Sequence, residues 1–199
     1  MNKLYVTIGF AAMLLLQLGM PSKMIYDQKQ ALEVGIPYKF KTQPIDPSDP
    51  FRGKYVALNY ELDKFNTTDS SYTRGQEIYV YIEADSLGYA QATQVSHTKL
   101  KIDRDYVMAE VDWSSGTEVF FSLPFNRLYM EEGKAYEAET AYSNANLRSW
   151  QQREKTDSEC YALVYIDGGT VRLEDVFIDE VSLREVVLQN REKEKAATE

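Results

Sequence analysis

One cysteine, Cys160, and one histidine, His97, stand in 199 residues. A single thiol cannot close an internal disulfide or build a multi-cysteine zinc site. A single imidazole excludes the paired-histidine metal motifs, so only carboxylate and carbonyl oxygens remain as ligands for hard cations. Basic runs are missing as well. With 22 Lys+Arg against 31 Asp+Glu the formal net charge is −9, and without a clustered cationic surface to neutralise phosphates, nucleic acid is excluded as a partner. EF-hand spacing, phosphate-cradling glycine loops and internal repeats are also lacking.

What is present suffices for a core: 44% of the residues are hydrophobic and 27% charged, in a length that suits one domain with appendages. The longest uncharged run, Leu4 to Met20, lies between Lys3 and Lys23. As a helix it would span about 25 Å, slightly under a hydrocarbon core of roughly 30 Å. A cleaved signal peptide needs small residues before the cut, whereas Leu14-Leu15-Leu16-Gln17-Leu18-Gly19-Met20-Pro21 offers no such pair. Residues 1–23 therefore read as an uncleaved signal anchor, ahead of a cleaved signal or a buried core helix. The amino group and Lys3 favour an inside amino terminus, which places the remainder outside the cytoplasmic membrane. Removing residues 1–23, which hold two lysines and no acid, leaves the exported part more acidic still, so it is expected to stand off an anionic lipid surface.

Residues 24–37 read as a juxtamembrane helix and linker: Ile25, Gln28, Lys29 and Leu32 fall at helical spacing, and Gly35 and Pro37 stop the pattern. Tyr38 to Thr42 alternates as a strand. Pro44, Pro47 and Pro50 then forbid regular structure. Period-two runs follow at Val56-Leu58-Tyr60-Leu62, Ile78-Val80-Ile82, Val107 to Trp113 and Val119 to Leu123, with Ser114-Ser115-Gly116 as a turn and, between Asp63 and Gln76, Asn66 to Ser71 as a polar loop. Ala135, Ala138, Tyr142 and Ala145 mark a helix within Lys134 to Lys155. Cys160 to Ile166 is apolar on both faces, as a central strand is, and Asp167-Gly168-Gly169 turns it back through Val171, Leu173, Val176 and Ile178. The fold class is thus mainly β (a β-rich α+β domain over 38–190), an antiparallel curled sheet or partial barrel behind an N-terminal transmembrane helix. Residues 191–199 form a charged tail, expected to fray.

The unit from Asp46 to Tyr60 resembles the signature of the GDYXXLXY family of bacterial membrane-anchored proteins. Gly53, Tyr55, Leu58 and Tyr60 match the motif, Asp46, Asp49 and Arg52 match its lead-in, and Lys54 stands where the family name has Asp. Two more segments are similar to the family: Tyr129 to Glu139, with Glu131 replacing Pro, and Tyr165 to Gly169. The resemblance implies a single-pass envelope protein of unassigned activity, accompanied by a multi-spanning membrane protein. Leu58 and Tyr60 share one strand face and Tyr55 takes the other.

Catalytic candidates are few. His97 sits in the polar, strand-like Gln91 to Thr98 without a nucleophile motif and reads as an exposed or capping residue. Glu131, Glu132, Glu137 and Glu139 could gather round a divalent cation or serve as acid and base, but they equally suit a helix start, where acids complement the dipole. Cys160 reads as a small buried hydrophobe. No cofactor is implied. The expectation is a non-catalytic accessory protein bound to an integral membrane partner; the rival is an envelope hydrolase or ligand-binding protein with a carboxylate site.

The motif reads as a structural corner ahead of a ligand-binding site: the spacing of Asp46 and Asp49 before Arg52 lets a proline-stiffened loop fold both carboxylates onto one guanidinium. Arg52→Ala should then cost about 2 kcal/mol or more, because two carboxylates are left facing each other. Arg52→Lys should recover only part of this, since an ammonium lacks the planar fork. Denaturant titration of the three proteins measures both; a loss under about 0.5 kcal/mol for Arg52→Ala, the size of an ordinary surface change, would show a solvated loop.

Overall fold

A computed structural model of the chain describes residues 3–43, 55–69, 71–151 and 159–196. Asp46, Asp49, Arg52 and Gly53 of the motif's lead-in lie outside the described residues. The two helical pieces expected at the amino end are one helix, α1 (Lys3–Val34), which carries Pro21 in its interior and stops before Gly35. Its apolar residues from Leu4 to Met20 are exposed throughout, so the domain covers none of them. By length and hydropathy it can cross a membrane.

β1 (Ile36–Gln43) follows and alternates as expected: Tyr38, Phe40 and Thr42 are buried, whereas Lys39 and Lys41 face outward. The Val56 to Tyr60 run also buries its even-numbered residues, but it serves two partners. β2 (Tyr55–Ala57) pairs with β9 (Arg127–Tyr129), and β3 (Asn59–Tyr60) pairs with β1. Between them the Leu58 N–H donates to the Asn126 carbonyl at 2.9 Å.

Two antiparallel sheets make the body. In the first, β10 (Cys160–Asp167) lies between β1 and β11 (Thr170–Ile178), with β12 (Val181–Ser182) and β3 at the edges. Apolar on both faces, β10 is the central strand that its composition predicts. Along β11 the apolar residues change parity between Leu173 and Val176, and the register shows why: Leu163 faces Asp175 and Val164 faces Leu173, so Glu174 is the extra residue of a bulge. The second sheet runs β4 (Lys64–Asn66), β8 (Glu118–Ser122), β7 (Tyr106–Ser114), β5 (Glu77–Ala84) and β6 (Ala90–Ser96). Its edge strands β4 and β6 come back into contact, so this sheet is a nearly closed barrel. β4 was not expected, and it ends where the polar loop from Asn66 to Ser71 begins. Only Phe65 of its three residues is half-buried, too little apolar content to show a period.

The sheets share one core, in which Phe40, Tyr60 and Phe125 meet edge to face with centroids 4.9 to 5.9 Å apart. Such ring pairs add about 0.5–1.5 kcal/mol each beyond their buried area. α2 (Glu132–Gln151) packs Ala135, Ala138, Tyr142 and Ala145 inward at the spacing the sequence predicts. α3 (Leu183–Ala196) corrects the expected frayed tail. It buries Leu183 and Val187, passes through the boundary expected at residue 190, and is tied to α2 where Arg191 donates to Glu137 at 2.7 and 2.9 Å and to the Gly133 carbonyl. A bidentate guanidinium–carboxylate pair of this kind fixes both angle and distance between two helices.

The β10–β11 turn requires glycine. Gly168 and Gly169 have φ of 56° and 94°, the left-handed pair of a two-residue hairpin loop. At Gly169 a Cβ would also overlap the ring of Tyr106, whose hydroxyl donates to the Gly168 carbonyl at 2.9 Å. Gly169→Ala should therefore cost about 2–3 kcal/mol, strain plus displacement of the ring, whereas Gly168→Ala meets open space and should cost about 1 kcal/mol. Denaturant titration of the two variants checks the difference; equal losses would mean that Tyr106 gives way freely.

Candidate functional site

The described part of the family motif is built into packing. Leu58 and Tyr60 are buried, and the Tyr60 hydroxyl donates to the Phe125 carbonyl at 2.8 Å. Tyr55, on the opposite face, stands directly across from Tyr129 with ring centroids 5.7 Å apart, and Arg127 lies 5.0 Å over the Tyr55 ring. The first two family-like segments thus meet in the β2–β9 pair. The third belongs to the β10–β11 hairpin, which pairs with β1.

The acidic group is divided between partners. Glu131 precedes α2 and pairs with Lys134 at 2.9 Å, which holds its carboxyl below the usual range. The backbone of Glu132 opens the helix. Glu137 is held below the usual range by its hydrogen bond to Arg191, and Glu139 is half-buried further along α2. Among the described residues no three His, Cys, Asp or Glu side chains form a set that could hold a metal ion. Cys160 is buried, and burial pushes its thiol up to about 12, which leaves it protonated and unreactive at neutral pH.

One constellation was invisible in the sequence. His97 stacks on Tyr72 at 4.2 Å and gathers Ser71, Asp69 and Gln76 from the segment before β5. The residues have the names of a hydrolytic triad, but their connections differ from one. Ser71 and Asp69 both approach Nε2, at 2.9 and 3.1 Å, while the Gln76 amide meets Nδ1 at 2.6 Å. The Thr73 N–H donates to Gln76 Oε1 at 3.2 Å, which turns the Gln76 NH₂ toward His97. Nδ1 then accepts, Nε2 carries the proton, and the imidazole has no lone pair to offer the Ser71 hydroxyl. That hydroxyl donates to Asp69 at 2.6 Å, holding the carboxyl below its usual range. The geometry clamps a loop to β6. Alternation and spacing within a segment cannot reveal it, because its members are 21 to 28 residues apart.

Among the described residues, two clefts of several hundred Å³ open on the surface. One, of about 450 Å³, lies between α2, α3 and the end of β11, with Tyr136, Thr140, Ile178 and Val186 on its walls. The other, of about 520 Å³, lies at the β4–β6 seam, with Lys41, Phe65, Tyr89 and Gln91. Beside the second, Lys39 and Lys41 sit over the rings of Tyr161 and Tyr89 at 4.6 and 4.5 Å, and pair with Glu180 and Glu159 at 3.2 and 3.6 Å. These cations and carboxylates neutralise one another.

Two buried tyrosines test how far hydroxyl pairing supports this core. Tyr60 has a carbonyl acceptor, whereas the Tyr142 hydroxyl is buried without a hydrogen-bond partner among the described residues. Tyr60→Phe should cost about 1–3 kcal/mol by orphaning the Phe125 carbonyl, and Tyr142→Phe should be neutral or stabilising. Thermal denaturation of both variants measures this; a clear loss for Tyr142→Phe would show the hydroxyl held by its polar neighbours Thr42 and Asn146 or by a bound water.

No curated protein and no solved structure matches the chain. A family model described as GDYXXLXY protein matches residues 17–176, from the apolar part of α1 to β11. The match covers all three segments singled out in the sequence, and most of both sheets. The chain belongs to the GDYXXLXY protein family.

Proposed function

We propose that this chain is a single-pass, membrane-anchored extracytoplasmic protein of the cell envelope that works without catalysis, as an accessory or binding partner of another integral membrane protein. The observation that carries the reading is the division of α1. Its uncharged run from Leu4 to Met20 touches nothing in the domain, while Asp27, Gln28 and Leu32 are half-buried near the β10–β11 hairpin. Seventeen exposed uncharged positions in a row, nearly all of them apolar, are costly in water and favourable in lipid. Lys3 ahead of the run favours an inside amino terminus, with the domain outside. The imidazole of His97 lacks a free base position, and Glu131 and Glu137 already have cationic partners, so binding accounts for these groups better than hydrolysis does.

Solubilisation of membranes in mild detergent, followed by affinity purification of the full chain, tests the reading. The protein should resist carbonate extraction and bring down a multi-spanning membrane protein in fixed ratio. Recovery of a soluble form starting near residues 20–24 would overturn the anchor, and a monomer carrying a bound ion or glycan would favour the rival carboxylate site.

A further inference from the structure

Many cations of this acidic chain are paired with a carboxylate. Lys39, Lys41, Lys64, Arg104, Lys134 and Arg191 each have one within 4.0 Å. Among the described residues, three cations at one end of the domain have none. Lys99 donates to the Tyr106 hydroxyl at 2.9 Å and lies 4.7 Å over its ring. Lys101, two residues on, is exposed. Arg172 is exposed on β11 and reaches only the Gln28 side chain of α1, at 3.4 Å. The Tyr106 hydroxyl that receives Lys99 is the same one that binds the Gly168 carbonyl, so Lys99 and the β10–β11 turn are held together.

This end is also where α1 arrives. From Gln28 back to Met20, the last residue of the apolar run, is about 12 Å of helix. That is close to one Debye length at physiological salt, roughly 8 Å, plus the reach of a long side chain. Asp103, Asp167 and Glu174 belong to the same end, but none lies within ion-pair distance of these three cations among the described residues. Ile102, 41% exposed between Lys101 and Asp103, offers an apolar side chain beside them. An acidic body tethered to an anionic surface is drawn toward it at the end that carries exposed, unpaired cations.

We propose that Lys99, Lys101 and Arg172 form a lipid-binding surface that takes the phosphate groups of anionic phospholipids in the bilayer holding α1. This rests on the anchored reading above and amends the expectation that the whole domain stands off the membrane: one end is drawn down while the acidic remainder is pushed away.

The test uses the full chain with Cys160→Ala and Ile102→Cys, labelled with one fluorophore, in nanodiscs that contain a headgroup-quenching lipid. Discs of phosphatidylcholine are compared with discs that also contain phosphatidylglycerol. Quenching should rise about twofold with the anionic lipid and fall back at high salt, as screening of phosphate contacts requires. Replacing Lys99, Lys101 and Arg172 together by Gln should abolish the increase. Arg74→Gln is the control, an exposed cation in the turn that precedes β5 and not one of the three, and it should leave the increase intact. Equal quenching in both lipids, or the same loss with Arg74→Gln, would overturn the lipid surface while co-elution with the discs keeps the anchor. Failure to co-elute with discs of either lipid would overturn both.

Discussion

The pairing of β1 with β10 is the constraint on which the rest of the domain depends. Six residue pairs, from Ile36 opposite Ile166 to Lys41 opposite Tyr161, set the face that each side chain of both strands presents. A slip of one residue would turn Tyr38, Phe40 and Thr42 out to solvent and bring Lys39 and Lys41 into the core. β1 also receives β3 on its other side and meets the second sheet through Lys39 and Tyr89, so its register is transmitted to both sheets. Because α1 runs into β1 with only Gly35 between them, the same register determines where the apolar helix meets the domain.

Much of this was legible in the residues. Alternation located β1, β5, β7 and β8, two glycines after Asp167 located the hairpin, and alanines at helical spacing located α2. What alternation does not encode is the identity of the neighbour. The run from Tyr55 to Tyr60 reads as one strand, and its period holds across Leu58, yet it changes partner there because β9 ends alongside Ala57. α3 was missed for a related reason. Its fully buried side chains are only Leu183 and Val187, and its second half is largely charged, a pattern that a solvated tail shares. What organises it is Arg191 on Glu137, an attachment across 54 residues that no local window contains.

The family motif gains a physical meaning from these pairings. Leu58 and Tyr60 close the core between the two sheets, and Tyr55 joins Tyr129 on the outside of the β2–β9 pair. A Lys at position 54, where the family name has Asp, suits a motif whose described members pack and pair rather than perform acid–base chemistry. The absence of local signals for the His97 cluster has the same origin: Asp69, Ser71 and Gln76 come from one segment and His97 from the end of β6, so only the folded sheet brings them together.

Pro21 gives the molecule a joint. A proline within a helix removes the hydrogen bond that its nitrogen would have given to the carbonyl four residues earlier, here that of Gln17, and its ring crowds that carbonyl. The helix between Pro21 and Gln28 is about 10 Å long, so bending is concentrated at the border between the apolar run and the part that meets the sheet. A bend of about 20° there, within the ordinary range of helix tilt, would carry a point 30 Å further out through roughly 10 Å. The domain would swing as a rigid lever, with every strand pairing intact, and its angle to the apolar helix becomes a degree of freedom that a neighbour could read or set.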